Sequence, residues 1–117
     1  IISIFVFFRQ DKIRNSSILE PQQMIFFLNR KNALLIDIRN NKDFSNGHIS
    51  QAINVGPDID LCKKEINKVS ERPIIIVCQN GNYSSRMATD LKKENYDAYI
   101  LKGGINSWLN EKLPLIN

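Results

Sequence analysis

The sequence predicts an α/β protein with a central parallel sheet of about five strands and helices on both faces. Short apolar runs alternate along the chain with segments in which apolar residues recur every three or four positions. The apolar runs are nearly continuous, as in strands that are buried on both faces of a parallel sheet. The length of 117 residues, with 43% hydrophobic residues, suits one folded domain.

Each predicted element follows from a local signal. Pro21 suits the first turn of a helix, where its missing N–H costs nothing, and Gly47 is typical of the residue that ends a turn or short helix. Residues 58–69 place apolar side chains three and four positions apart, and residues 74–77 are all β-branched. The predicted strands cover residues 18–19, 33–38, 52–55, 74–77 and 98–101. The predicted helices cover residues 22–29, 58–69, 84–94 and 105–111, with a turn or short helix over residues 40–47.

The composition excludes several classes of protein. A domain of this size buries enough surface to fold without disulfides or a structural metal. The 16 Lys and Arg residues against 12 Asp and Glu residues give a net charge of +4, but the basic residues are scattered and no aromatic-rich motif accompanies them. We therefore expect no nucleic-acid partner. The histidine His48 and the cysteines Cys62 and Cys78 lack metal-ligand spacing, so we expect no metal site and reduced thiols.

The N-terminal segment, residues 1–16, is set apart from the domain predicted over residues 17–117. Its apolar opening, IISIFVFF, is shorter than the roughly 20 residues that cross a bilayer. Two alternatives stand: the remnant of a membrane anchor followed by a linker, or an arm packed on the domain. If a membrane helix precedes the segment, the basic residues that follow place the domain on the cytoplasmic side. We expect a cytoplasmic protein, with anchoring to the cytoplasmic face of a membrane left open.

The cysteine Cys78 follows directly on the strongest predicted strand. In open α/β sheets, ligands bind beyond the carboxyl ends of the strands. The polar loop after Cys78 leads into a helix, whose N-terminal N–H groups and dipole stabilise a thiolate. Gly81 lets this loop curl without a Cβ clash, and Asn82 tolerates a left-handed conformation. Cys78 is the candidate nucleophile, whereas Cys62 lies on the apolar face of a predicted helix and is expected in the core.

Three segments together carry a family resemblance. Residues 35–55, LIDIRNNKDFSNGHISQAINV, resemble the Asp-x-Arg…Phe-x-x-Gly-His-Ile-x-x-Ala-x-Asn signature of rhodanese-like domains. Residues 78–84, CQNGNYS, are similar to the six-residue active-site loop of that family and the residue after it. Residues 101–115, LKGGINSWLNEKLPL, resemble its closing Gly-Gly…Trp segment. The resemblance extends from residue 18 to the C-terminus and implies a rhodanese-like fold.

The resemblance also implies a sulfurtransferase. The family's cysteine takes a sulfane sulfur from a donor, holds it as a persulfide, and passes it to a thiophilic acceptor. Cys78 would be the nucleophile, and the covalent persulfide makes a metal or organic cofactor unnecessary. The implied partners are a small sulfur-containing anion such as thiosulfate or a protein persulfide donor, and a thiol or cyanide acceptor. The implied substrate-binding residues, which supply backbone N–H groups and one hydroxyl, are Gln79, Asn80, Gly81, Asn82, Tyr83 and Ser84.

The loop also departs from the family pattern. Many catalytic members carry Arg or Lys in the loop, but this loop is uncharged and the nearest basic residue along the chain is Arg86. A neutral loop holds doubly charged thiosulfate less strongly. Phosphatases and arsenate reductases of this architecture use a loop one residue longer that ends in Arg. Ser84 stands at that position here, which disfavours phosphate recognition.

Two further interpretations concern residues outside the loop. The first signature segment contains Asp37, Arg39 and His48, which could suggest a Cys-His-Asp triad with Cys78. We expect these three residues to have structural roles instead. We expect Trp108 to lie in the core. The alternative to an enzyme is a non-catalytic module that binds partners or senses sulfur or redox state.

Overall fold

A computed structural model describes residues 17–69 and 71–117. The predictions for residues 1–16 therefore lie outside the described residues. The described chain forms one five-stranded sheet with the order β1-β5-β4-β2-β3, and all its strand pairs are parallel. The strands are β1 (Ile18–Leu19), β2 (Leu34–Asp37), β3 (Ile53–Asn54), β4 (Ile74–Val77) and β5 (Ala98–Leu101). The helices are α1 (Pro21–Arg30), α2 (Asn41–Asn46), α3 (Ile59–Ile66), α4 (Asn82–Lys93) and α5 (Gly104–Asn110).

The sheet is covered on both faces, as the sequence predicts. Alternate residues of β4 enter different cores: Ile74 and Ile76 pack in one cluster with side chains of α3 and α4. Ile75 and Val77 pack in the other with side chains of α1 and α5. Because both faces are buried, the strands are apolar throughout, which is the pattern that predicted the parallel sheet.

The helix boundaries differ from the prediction at several ends. The helix predicted over residues 58–69 is α3, and Asp58 is its N-cap, with a carboxylate that accepts two backbone N–H groups of the first turn. After Ile66 the hydrogen-bond spacing shortens from four residues to three. The N–H of Lys68 and that of Val69 each bond to the carbonyl three residues earlier. That geometry ends an α-helix. The prediction was therefore wrong for the last turn.

The helix α4 begins earlier than predicted, and this difference changes the surroundings of Cys78. The prediction began this helix at Ser84, with residues 78–83 as a loop, but it begins at Asn82. Gly81 is the N-cap residue and adopts a left-handed conformation with φ +97°. Asn82 and Tyr83 thus belong to the first helical turn. The loop between β4 and α4 is shorter than predicted, and the helix N-terminus lies closer to Cys78.

The short polar segment after β2 forms a helix, α2. The Asn40 side chain accepts a hydrogen bond from the Asp43 N–H at 2.8 Å, and Gly47 ends the helix. Among residues 17–69 and 71–117, none of the helices has the length and apolar character needed to cross a membrane.

Candidate active site

Cys78 lies at the carboxyl end of β4, the central strand of the sheet, and only 3% of its surface is exposed. Its sulfur accepts hydrogen bonds from the backbone N–H groups of Gly81, at 3.0 Å, and Ser84, at 3.4 Å. Its thiol donates to the Ser84 hydroxyl at 3.3 Å. The sulfur therefore lies among polar hydrogens, in a place where a negative charge on sulfur is stabilised.

The N-terminus of α4 supplies these donors. The first N–H groups of a helix have no partner within the helix, and here the Ser84 N–H turns to the cysteine sulfur. The Asn82 N–H bonds to the Asn80 side chain at 3.1 Å, and the Tyr83 N–H has no acceptor among the described residues. The positive end of the helix dipole adds to the same field.

Ser84 is fully buried and ties the loop to the helix. Its hydroxyl donates to the Gly81 carbonyl at 3.1 Å while it accepts the thiol of Cys78. A hydroxyl suits this position because it donates and accepts at once. The next residue, Ser85, is exposed, and no side chain caps the start of α4.

A second helix start, that of α5, holds the other side of the loop. The Ile105 N–H donates to the Cys78 carbonyl at 3.0 Å, and the Asn106 N–H donates to the Gln79 carbonyl at 3.1 Å. Gly104 makes this approach possible, since a Cβ there would lie 2.2 Å from the Cys78 carbonyl oxygen. The sequence shows the Gly-Gly turn but not this contact, which depends on how α5 packs across the loop.

The Gln79 side chain connects the loop to two other elements. Its amide donates to the Asn106 side chain at 2.7 Å and accepts from the Arg39 guanidinium at 3.4 Å. Proximity along the chain indicated Arg86 as the basic neighbour of the loop, but the structure brings Arg39 to it, across the end of β2. Arg39, for which a structural role was expected, therefore also contacts the loop through the Gln79 side chain.

Arg39 is itself held by a buried ion pair. Its Nη2 lies 2.9 Å from the Asp37 carboxylate and also donates to the Gly47 carbonyl at 2.8 Å. Asp37 is 1% exposed. Asn54 donates to the main-chain carbonyls of both residues. These contacts hold the end of β2 in place, which is a structural role of the kind expected for Asp37 and Arg39.

The residues predicted to bind substrate surround Cys78 unequally. Gly81 and Ser84 are buried beside the sulfur. The remaining residues expose their side chains to solvent, and these are Gln79, Asn80, Asn82 and Tyr83, the last with 72% of its surface exposed. The exposed part of the loop that follows Cys78 therefore consists of uncharged polar side chains and one aromatic ring.

His48 contacts Phe44 rather than Cys78. The two rings stack with their centroids 3.8 Å apart, and His48 Nδ1 lies 2.9 Å from the Phe44 carbonyl oxygen. The His48 main chain pairs with Ile116. Within the described part of the chain, no three His, Cys, Asp or Glu side chains group closely enough to hold a metal ion.

Cys62 lies in the core cluster that α3 shares with the sheet and has no exposed surface. Burial raises the pKa of its thiol to about 11, because the apolar surroundings penalise the charged thiolate. Trp108 is also buried, and its indole N–H donates to the Pro114 carbonyl at 2.9 Å. The structure thus places both residues in the core, as expected.

The fold and site define a parallel α/β protein that holds a cysteine at the carboxyl end of a central strand and the start of a helix. The rhodanese-like domain family matches residues 20–111. The chain therefore belongs to the rhodanese-like domain family.

Several relatives are about one-third identical to this chain over the residues that match. An uncharacterized protein of Buchnera aphidicola subsp. Schizaphis graminum is 32% identical, over 97% of this chain and 79% of its own. The thiosulfate sulfurtransferase GlpE of Shewanella oneidensis is 31% identical, over 77% of this chain and 89% of its own. The tRNA uridine(34) hydroxylase of Onion yellows phytoplasma is 34% identical, but the match covers only 31% of that protein. For YibN of Escherichia coli K12, 32% identical, the match covers 64% of its length and 76% of this chain.

Solved structures confirm the fold. A thiosulfate sulfurtransferase of Pseudomonas aeruginosa superposes with a TM-score of 0.76 at 14% identity, over 88% of this chain and 20% of that one. The BH2092 protein of Bacillus halodurans gives a TM-score of 0.75 at 18% identity, over 94% of this chain and 83% of that one. At these identities the likeness establishes architecture alone.

The close approach of Gly104 predicts a specific sensitivity to a methyl group. In Gly104→Ala the new Cβ would overlap the Cys78 carbonyl at a residue with φ +60°. Gly56→Ala is the matched control, since Gly56 has φ +67° and nothing within 4 Å of an added Cβ. We expect Gly56→Ala to lower the free energy of unfolding by roughly 1–2 kcal/mol from backbone strain alone. Gly104→Ala should lose a further 1–3 kcal/mol or so from overlap.

Urea unfolding measures both variants, and the rate of Cys78 alkylation reports on the loop. Gly104→Ala should change that rate, whereas Gly56→Ala should not. Equal losses of stability and unchanged alkylation in both variants would show that α5 does not fix the loop.

The two cysteines should differ in reactivity. Only the thiolate reacts with iodoacetamide, and at pH 8 a thiol with a pKa of about 11 is ionised in roughly one molecule in a thousand. We expect the native protein to be labelled at Cys78 at least about ten times faster than at Cys62. Labelling of Cys62 should rise as the pH approaches 11 or when guanidinium unfolds the chain. Peptide mass mapping, with Cys78→Ala as control, checks this, and equal labelling at pH 8 would contradict it.

Proposed function

We propose that the protein is a sulfurtransferase that carries sulfane sulfur as a persulfide on Cys78. The observation that carries the proposal is the convergence of two backbone N–H groups and the Ser84 hydroxyl on the Cys78 sulfur, at the start of α4. A site of this kind stabilises a thiolate before reaction and an anionic sulfur after it. Membership of the rhodanese-like domain family and the likeness to a thiosulfate sulfurtransferase support the same chemistry.

In the first half-reaction the Cys78 thiolate attacks the outer sulfur of the donor. A bond forms between Sγ and that sulfur, and the donor's sulfur–sulfur bond breaks. With thiosulfate the electron pair leaves on sulfite, and with a persulfide it leaves on the donor's thiolate. The sulfur moves without an external oxidant or reductant, so the loop needs no cofactor.

The persulfide places its charge one atom beyond Sγ. The Tyr83 N–H, in the first turn of α4 and without an acceptor among the described residues, is available to this outer sulfur. A Cβ at Gly81 would lie 3.3 Å from the Gly103 nitrogen, so glycine at this position lets the loop pack against the start of α5. The Ser84 hydroxyl retains a donor for the sulfur if it turns from the Gly81 carbonyl.

In the second half-reaction an acceptor attacks the outer sulfur. A thiol gives a new persulfide and cyanide gives thiocyanate, and in either case the electron pair of the broken bond returns to Sγ. The thiolate is thereby regenerated for the next donor. The loop side chains on the solvent side of Cys78 are exposed and uncharged, and we expect a small acceptor or the thiol of another protein to approach from that side.

A reducing compartment suits this chemistry. Cys62 and Cys78 are both free thiols, and the cytosol keeps thiols reduced. We therefore retain the cytoplasmic side as the proposed location. Anchoring to a membrane would involve residues 1–16, which lie outside the described residues.

Intact-mass spectrometry tests the first half-reaction. After incubation with thiosulfate or a small persulfide, we expect the mass of one added sulfur atom on the wild-type protein, and its removal by cyanide. Cys78→Ala should take up no sulfur, whereas Cys62→Ala should load like the wild type. A wild-type protein that loads from neither donor would overturn the sulfurtransferase and favour a binding module.

Ser84 should affect the rate of loading, and its neighbour Ser85 should not. Ser84→Ala removes the hydroxyl 3.3 Å from the sulfur, and a hydrogen bond to a charged group is worth roughly 1.5–3 kcal/mol. We expect loading to slow by about tenfold or more. Ser85→Ala, an exposed change one residue away, should keep the wild-type rate. Urea unfolding of both variants checks that the fold is retained, and equal loading rates would show that the hydroxyl plays no part.

A further inference from the structure

We propose that the site selects a singly charged persulfide donor over doubly charged thiosulfate. The proposal rests on the sulfurtransferase function above and names the class of donor for the same site. It follows from the charges that surround Cys78 and from the partial charges that the loop presents.

The loop itself carries no charge that could pair with an anion. Its side chains, from Gln79 to Ser84, are all uncharged. Among the described residues, Arg39 is the basic side chain with a hydrogen bond to the loop, through Gln79. Its guanidinium is already paired with the buried Asp37 carboxylate at 2.9 Å. The pair is neutral as a unit, so Arg39 adds little net attraction for an anion.

Two other basic residues lie near the site in sequence or in the fold. Ser84 is buried against Cys78, and Arg86, two residues further along α4, is exposed. Residues two apart in a helix point in different directions, so Arg86 is directed away from the sulfur. Lys102 follows β5 at the same edge of the sheet, but its amine is 3.3 Å from the Glu20 carboxylate.

What the loop does offer is partial positive charge. The N–H groups of Gly81 and Ser84 point at the sulfur, and a helix N-terminus is equivalent to about half a positive charge. This partial charge is smaller than one full unit, so it offsets the charge of a donor less completely as that charge grows. A persulfide brings one charge to the Cys78 thiolate, whereas thiosulfate brings two, and the repulsion grows in proportion.

The exposed side chains of the loop are also compatible with an organic donor. They include the side chains of Asn80 and Asn82 and the Tyr83 ring, which is 72% exposed. These groups suit the carbon-bearing part of an organic donor, which an aromatic ring contacts favourably. In the transfer, the Cys78 thiolate bonds to the terminal sulfur of R–S–S⁻, the donor's sulfur–sulfur bond breaks, and its electron pair leaves on R–S⁻, so Cys78 ends as the anionic persulfide.

The test measures second-order rates of sulfur loading with thiosulfate and with 2-hydroxyethyl persulfide, whose anion carries a single negative charge. Each rate is divided by the rate of the same donor with free cysteine, so that the intrinsic reactivity of the donors cancels. Reactions are quenched by alkylation and read by intact mass. We expect the normalised rate with the persulfide to exceed that with thiosulfate by at least about tenfold.

A charge added at the start of α4 should shift this preference. Asn82→Lys places an ammonium group on the exposed first turn of α4, close to Cys78, and its attraction for a donor scales with the donor's charge. If loading from thiosulfate rises about tenfold, loading from the persulfide should rise about threefold, so the ratio moves toward thiosulfate. Asn110→Lys is the matched control, with the same change of charge at the far end of α5 from the loop. Its two rates should match those of the wild type.

The outcomes separate this proposal from the one it rests on. If neither donor loads Cys78, the sulfurtransferase function itself fails. Loading from both donors at equal normalised rates would leave that function standing and overturn the selectivity. A ratio that Asn82→Lys leaves unchanged, or that Asn110→Lys moves equally, would show that the local charge does not set the preference.

Discussion

The convergence of two helix N-termini on one short loop is the constraint on which the site depends. The N–H groups of α5 bind the carbonyls of Cys78 and Gln79. In a trans peptide the C=O and N–H point in opposite directions, so the N–H groups of Gln79 and Asn80 point away from α5. The start of α4 then supplies the donors on the sulfur. The start of α5 thus satisfies the loop carbonyls while the start of α4 donates to the sulfur, and Gly104 allows α5 to approach.

The buried pair of Asp37 and Arg39 acts on the site through geometry. Removing a charged pair from water is costly, and losing one partner leaves a buried charge unmatched. In return, Arg39 joins the end of β2 to the Gly47 carbonyl and to the Gln79 side chain. Three segments that are distant in sequence are thereby held at one edge of the sheet. The pair places polar groups there and leaves the local charge close to zero.

Much of the fold could be predicted because the strands are buried on both faces and their apolar runs are unmistakable. Cys78 could be located for the same reason, since the carboxyl end of β4 is where a parallel sheet binds ligands. The start of α4 was misplaced because its N-cap, Gly81, carries no capping side chain, and Asn82 and Tyr83 are polar residues typical of loops. The roles of Gly104 and Arg39 depend on packing between distant segments, which no local pattern reports.

The two cysteines show that burial alone does not decide what a thiol does. Cys62 and Cys78 are 0% and 3% exposed, almost the same. Around Cys62 the core is apolar, and the pKa of its thiol rises to about 11 because nothing there stabilises the charge. Around Cys78 the N–H groups of Gly81 and Ser84 replace the hydrogen bonds of water. Cys78 is buried almost as deeply as Cys62, but the start of α4 points N–H groups at its sulfur. In this setting the sulfur can carry a negative charge.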